Sequence, residues 1–323
     1  MNLVRRASPY AVLVVLLIAG GTFWFRHNEI LDWAATRGYD PPAVVEIIAG
    51  DTAMTPYAER LFYVNRPMVA DKQEFNQNCT DPSEQVAVLG CFLGNRMGIY
   101  IYDVTDERLA GIEQVTGAHE MLHQAYQRLS SAEKTRIGGL LQEYHDLKAS
   151  QDLKDKIATY GDGDPYRLQN EMHSIFGTEA PDLPDELEQY YKQYFEDRQK
   201  VLALYQKYQA EFDERLAQIE AYDEQLSGLQ ARINANRQEL QTREQELRQR
   251  RAQLDAYLAA NRVNEYNVAV PGFNAQVAAY RDLINSTNSM IDEFNRILAS
   301  RNDLAVEERE LEGAIDSQID IKE

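Results

Sequence analysis

Proline, glycine and cysteine are all scarce in this chain of 323 residues, which has 10, 17 and 2 of them. Positive charge is short as well. Against 52 Asp and Glu stand 33 Lys and Arg, a formal net charge of −19, which argues against a general nucleic-acid binder that must neutralise phosphates. Nine of the ten prolines fall in the first 184 residues and only Pro271 lies beyond them, so the chain reads as two unlike halves. With 26% charged and 44% hydrophobic residues, wholesale disorder is excluded and one or two domains are expected.

The two cysteines, Cys79 and Cys91, are twelve positions apart, a loop that a disulfide closes easily in an oxidising compartment; two buried free thiols are the alternative. Residues 9–25 carry no charge over 17 positions and follow Arg5 and Arg6. The stretch ends in Trp24 and Phe25 rather than in a small-residue cleavage pattern, so it reads as an uncleaved signal anchor rather than a signal peptide. The arginine bias then predicts a single-pass cell-membrane protein with residues 1–8 cytoplasmic and the bulk extracytoplasmic.

Residues 26–183 read as a small, mostly helical domain. Pro41 and Pro42 suit a helix start, Gly50 a stop, and 98–104 (GIYIYDV) a strand. Thr105 and Asp106 offer caps for a helix reaching about residue 129, Ser130 or Ser131 for a second, and Asp164 before Pro165 for a third.

From 184 to 262 there is no proline after Pro184 and a single glycine, which predicts one long helix. Ile219, Leu226, Ile233, Leu240, Leu247 and Leu254 recur every seventh position, the seam of a coiled coil. Pro271-Gly272 predicts a reversal within 263–272. Val277, Ile284, Ile291 and Leu298 then continue the sevenfold pattern through 273–323, giving an antiparallel hairpin. Between 185 and 220 the aromatic residues Tyr190, Tyr191, Tyr194, Phe195, Tyr205, Tyr208 and Phe212 expect a partner surface, either the first domain or another chain, unless the segment is a solvated stalk.

The chemistry lies in His119-Glu120-Met121-Leu122-His123. An i, i+4 spacing sets both imidazoles on one face of a helix, where they can share an ion, with Glu120 beside them. Two neutral imidazoles suit Zn2+, and a carboxylate can take a proton from water there. A third protein ligand is needed, and Glu171 in Asn170-Glu171-Met172-His173-Ser174 is the choice. His173, Glu179, His145 or an aspartate remain alternatives. Ser174 shares the Glu171 face and could support the metal ligands from behind.

These residues resemble the gluzincin zinc metallopeptidases, in which an HExxH helix is followed by a glutamate ligand on a second helix. The resemblance covers residues 97–180 and implies a compact zincin-like domain. His119, His123 and Glu171 would be metal ligands, Glu120 the general base, and the strand at 98–104 the sheet edge to which an extended peptide adds. Zinc would polarise the scissile carbonyl, and its water, deprotonated by Glu120, would attack. His173, Tyr160 and Tyr166 are candidates for the oxyanion helper, and His173 is placed with Glu120 as catalytic. His145 and His27 read as surface residues.

The expectation is therefore a mainly α protein with a small β component. It has an N-terminal transmembrane helix, a zinc-dependent peptidase domain acting on a peptide or protein, and a coiled-coil hairpin that serves a partner protein, a homodimer or substrate positioning. The competing expectation is a non-enzymatic envelope scaffold whose coiled coil does the work and whose metal site is structural or regulatory.

Overall fold

The computed structural model describes residues 27–79, 89–160 and 163–318. The expected membrane span at 9–25 lies outside them. Among the described residues no helix is long and apolar enough to cross a membrane. The single-pass membrane localisation is corrected accordingly and is not carried further.

The protein is mainly helical with one small sheet. Helix α1 covers 27–36, followed by α2 (Ala43–Asp51), α3 (Pro56–Tyr63), β1 (Met68–Ala70), α4 (Lys72–Asn78), β2 (Gly90–Phe92) and β3 (Ile99–Tyr102). A 3-10 turn at Glu107–Leu109 leads to α5 (Ile112–Arg128), α6 (Ser131–Leu147), α7 (Gln151–Ala158), α8 (Pro165–Glu179) and α9 (Asp185–Tyr191). Two long helices complete the chain, α10 (Arg198–Ala259) and α11 (Val263–Ile315). The chain divides into two compact units, one of residues 1–211 with 312–323 and the other of 212–311. The boundary thus falls near 211, not at the expected 183, because the aromatic segment belongs to the first unit.

Several helix starts follow from their side chains. Ser130 accepts the Glu133 amide while Glu133 reaches back to the Ser130 amide, a capping box that opens α6. Asp164 caps α8 with Pro165 in its first turn. The helix expected from Asp106 breaks instead: Asp106 caps only the 3-10 turn, and α5 begins after Gly111 at φ +111°. A side chain at Gly111 would also meet Leu204 at 3.2 Å, so glycine is required both by its backbone and by this close approach.

In the sheet β3 lies between β1 and β2, parallel to β1 (Val69 opposite Ile101) and antiparallel to β2 (Gly90 opposite Ile101). The strand expected at 98–104 is thus the central one, with both edges paired, and β2 is the edge strand against α5. This corrects the expected edge, and the reason is topological: β1 and β2 are too short to stand out in sequence. The disulfide Cys79–Cys91 ties the end of α4 to β2. At the other end of β2, Asp32 of α1 is buried between Arg96 of the β2–β3 turn (2.6 Å) and Arg128 at the end of α5 (2.8 Å). Helix α1, the β2–β3 turn and α5 are thereby held together by one carboxylate shared between two guanidinium groups.

The first unit's core runs through Ile48, Phe62, Ile101, Leu122, Ile137, Phe176 and Tyr191. The expected single helix over 184–262 is interrupted after α9. Thr55 and Glu196 pair backbones with Tyr194 and Ala53 at 2.9 and 2.8 Å, and Tyr190, Tyr191, Tyr194 and Phe195 are all buried. Burial of those rings overrides helical propensity, since each removes a large apolar area from water.

The second unit is an antiparallel helical hairpin. Asp223 pairs with Arg301 at 3.0 Å, Asn236 bonds to Thr287 at 3.1 Å, and Leu226 and Leu229 pack on Ile297 beside Met290 and Phe294. The reversal is not at Pro271-Gly272 but at 260–262. Asn261 takes φ +58°, and the Arg262 and Asn261 amides donate to Tyr257 and Leu258 carbonyls at 2.8 and 3.0 Å. This is the left-handed cap that asparagine tolerates, whereas Pro271 sits inside α11, where it has no N–H to donate to the helix and the chain continues through it. Of the expected seam of α11, Val277, Ile284 and Ile291 are half-buried, whereas Leu298 is 36% exposed and its neighbour Ile297 only 5%.

Candidate metal centre

Helix α5 carries the two histidines where it is most enclosed. Ala118, Met121, Leu122 and Ala125 are buried around them, so the helix lies inside the domain rather than on it. Gly117 and Gly177 permit this. An added Cβ would lie 2.5 Å from Ile48 Cγ2 at Gly117 and 2.4 Å from Leu122 Cδ1 at Gly177, so α2 and α8 press onto α5 where a methyl would not fit.

His119 and His123 place their ring centres 4.7 Å apart, as one helical turn requires. Helix α8 crosses them and delivers Glu171, with Oε2 at 3.6 Å from His119 Nε2 and Oε1 at 3.8 Å from His123 Nε2. Atoms bound about 2.1 Å from a tetrahedral ion lie roughly 3.4 Å apart, so these spacings suit a shared zinc-sized ion. Glu120 belongs to the same group: one atom each from His119, Glu120 and His123 lie within 4.8 Å of one another and could hold a metal ion. Two carboxylates thus compete for the role of ligand. Glu171 faces both imidazole Nε2 atoms at 3.6 and 3.8 Å, while Glu120, the immediate neighbour of His119 in the chain, sits against β2.

That arrangement depends on Gly90. A Cβ there would stand 2.7 Å from Glu120 Oε1 and 2.5 Å from Thr116 Cγ2, so only glycine leaves room for the carboxylate. Behind the site, Ser174 Oγ lies 3.1 Å from His123 Nδ1, which holds the ring with Nε2 toward Glu171. Phe92 of β2 stacks on the His123 ring at 6.5 Å. Gly90 and Phe92 were missed from the sequence; their position on either side of Cys91 was the one available signal.

The charges are consistent with a site built for a cation. Burial opposes a charge on His119, but its hydrogen bond to Glu171 and the charges of Glu120, Glu171 and Glu179 outweigh it and raise its pKa. His123 is driven the other way by burial, with Glu171 opposing and His119 assisting. For Glu171 burial favours the neutral acid, yet His123, His119 and Arg167 together hold its carboxyl below the usual range.

His173 is not brought to this group. It is fully buried, its Nε2 lies 2.8 Å from the Tyr190 hydroxyl, and rings of Tyr126, Tyr191 and Tyr194 enclose it. Burial, aided by the charges of His123 and His119, pushes its pKa down to about 3. A neutral histidine in a tyrosine cage is a core residue, which corrects its expected catalytic placement. On a helix, position 173 turns away from 171, and the tyrosine segment covers it. Tyr166 is half exposed, lies against Tyr126 and meets Lys134 at 3.4 Å. Tyr160 packs against the core. His145 pairs with Asp146 at the surface.

Among known proteins, the chain matches no family description, no curated protein and no solved structure.

Proposed function

We propose that this protein is a zinc-dependent metallopeptidase with a gluzincin-like, zincin-type domain in its first unit. The observation that carries the reading is the meeting of Glu171 with both histidines across 48 residues of chain, at 3.6 and 3.8 Å. A coincidental HExxH on a helix has no need for a buried carboxylate from a second helix facing both imidazoles.

His119, His123 and Glu171 would hold the ion, and Ser174 would orient His123. When bound, zinc supplies Lewis acidity, polarising a carbonyl and lowering the pKa of water. The chain's own part is proton handling. Glu120, buried under Gly90 beside His119, accepts a proton from water entering the site and returns it to the leaving amine. Enclosure by Phe92 and the α5–α8 interface strengthens each of these electrostatic contacts by excluding bulk water. In the same reading the α10–α11 hairpin is a coiled coil that engages a partner or substrate.

The grouping of Glu120 itself with both histidines favours one other reading, a structural or regulatory metal site in a scaffold protein. Metal content and hydrolysis of a peptide mixture, measured on wild type and Glu120→Gln, separate the two. About one zinc per chain in both proteins, with hydrolysis reduced roughly 100-fold or more in the variant, supports the enzyme. Loss of zinc in Glu120→Gln makes the residue a ligand and favours the scaffold. A wild type that takes up no zinc on titration overturns both.

A further inference from the structure

The two faces of strand β2 meet different partners. Successive side chains of a strand point to opposite sides, and here Gly90 and Phe92 face α5, Gly90 against the Glu120 carboxylate and Phe92 stacked on the His123 ring. Cys91, between them, points the other way and is bonded to Cys79 at the end of α4. Strand β3 divides in the same manner. Ile99 and Ile101 join the core of the first unit, while Tyr100 and Tyr102 lie with Cys79, Phe75 and Ala70 on the α4 side. The disulfide therefore grips the strand that covers the metal group from behind.

The ladder of β2 is short, three residues paired to β3 alone at the edge of the sheet. Helix α4, by contrast, has an anchor of its own. Lys72 donates to the Asp316 carbonyl oxygen at 2.8 Å and Asn76 to that of Ser317, and both acceptors belong to the part of the chain that returns to the first unit. The bridge thus ties a weakly paired strand to a fixed helix. Both cysteines are half-buried rather than enclosed, which leaves the bridge within reach of a small reagent.

We propose that the Cys79–Cys91 bridge is a redox switch of the metal group, opened by a dithiol reductant. A thiolate of the dithiol attacks one sulfur, the Cys79–Cys91 bond breaks, and the second sulfur of the dithiol then closes the reagent's own disulfide. Two electrons pass to the cystine, and the two protons of the dithiol end on the Cys79 and Cys91 thiols. Oxidised, the bridge seats Gly90 over Glu120 and Phe92 on His123. Reduced, β2 loses its tie to α4, opens more often and admits water to Glu120 and the His123 ring, which weakens the electrostatic contacts there. The inference rests on the metallopeptidase reading and adds its regulation.

The test uses the whole chain, oxidised and after treatment with an immobilised dithiol that is removed before zinc is added, with the freed thiols counted. Cys79→Ser/Cys91→Ser is the permanently open form and brings no thiolate to the metal. Zinc affinity is read by competition with a chelating dye, opening of β2 by hydrogen exchange at 90–92, and cleavage on a peptide mixture. Reduction and the double variant should each lower zinc affinity roughly 10-fold and speed exchange in β2, and reoxidation of the wild type should restore both. Phe92→Ala, with the bridge intact, should lower zinc affinity by itself and blunt the response to reduction. Zinc affinity that does not fall in the open forms, a bridge that the dithiol leaves intact, or open forms that unfold as a whole by circular dichroism each overturn the switch and make the bridge a structural staple. A Phe92→Ala chain that responds as fully as the wild type overturns the route through β2. Redox-dependent zinc affinity without cleavage in either state overturns the peptidase reading and leaves the switch standing, whereas no zinc uptake by any form overturns the metal centre and the switch with it.

Discussion

Helices α5 and α8 and helices α10 and α11 are two pairs packed side by side, but they use their facing surfaces in opposite ways. Where α5 meets α8, Gly177 brings the backbones close, and His119, His123, Glu171 and Ser174 converge among fully buried apolar neighbours. Where α10 meets α11, contacts are spread along a ladder of single apolar residues, and the polar partners Asp223 and Arg301 lie at its solvent-facing rim. The first pair concentrates charge where water is excluded and each interaction is strong; the second spreads apolar burial thinly and leaves its charges screened. A site needs the first arrangement, while an extended surface needs only the second.

The largest expected effect falls on the first pair. Glu171→Ala should lower zinc affinity at least 100-fold, by loss of one of the three proposed ligands, while the helicity of the hairpin is unchanged; competition titration with a chelating dye and circular dichroism measure the two. Unchanged zinc affinity would mean that Glu120 takes the third position. In the second pair, Ile297→Ala should cost about 2–4 kcal/mol of hairpin stability and Leu298→Ala less than about 0.5 kcal/mol, read by urea unfolding. Reversal of that order would place Leu298 on the buried face together with Val277, Ile284 and Ile291.

Acid sharpens the contrast further. His173 has a folded pKa of about 3 against an ordinary value of 6.5, so below pH 6.5 the unfolded chain binds a proton that the folded chain refuses. Its contribution to stability is whole above pH 6.5 and falls by up to about 1.4 kcal/mol per pH unit toward pH 3, or about 2 kcal/mol by pH 5. Melting of chelator-treated protein should show that loss in wild type and a flatter profile in His173→Gln. Identical slopes would place His173 outside the core. The smallest effect belongs to Arg301→Ala on the hairpin's exposed rim, for which no measurable change in melting is expected in moderate salt.

Much of this was legible because it is local. The capping box at Ser130, the Asp164-Pro165 helix start and the i, i+4 histidines each depend on residues within one helical turn. Ser174 was readable for the same reason, sharing a helix face with Glu171. The bridge between Cys79 and Cys91 was suggested by a twelve-residue separation that a disulfide closes easily, though two free thiols would read the same in sequence. The hairpin's turn was misplaced because proline and glycine are louder signals than Asn261, though a left-handed cap needs only the asparagine.

By itself the sequence determined the helical character of the chain, its unlike halves and the presence of a two-histidine helix, all set by propensity and short-range spacing. Tertiary structure alone decided three things. It set Ile297 rather than Leu298 into the α10–α11 interface, where Leu226 and Leu229 pack with Met290, Phe294 and Ile297. It made β3 the central strand, since pairing with β1 and β2 joins segments that sequence leaves separate. It also turned His173 into a tyrosine cage while Glu171, two residues earlier, met both histidines. Helical rotation separates those two side chains, but only the packing of α5 and the aromatic segment around α8 determines which face carries charge and which must stay neutral.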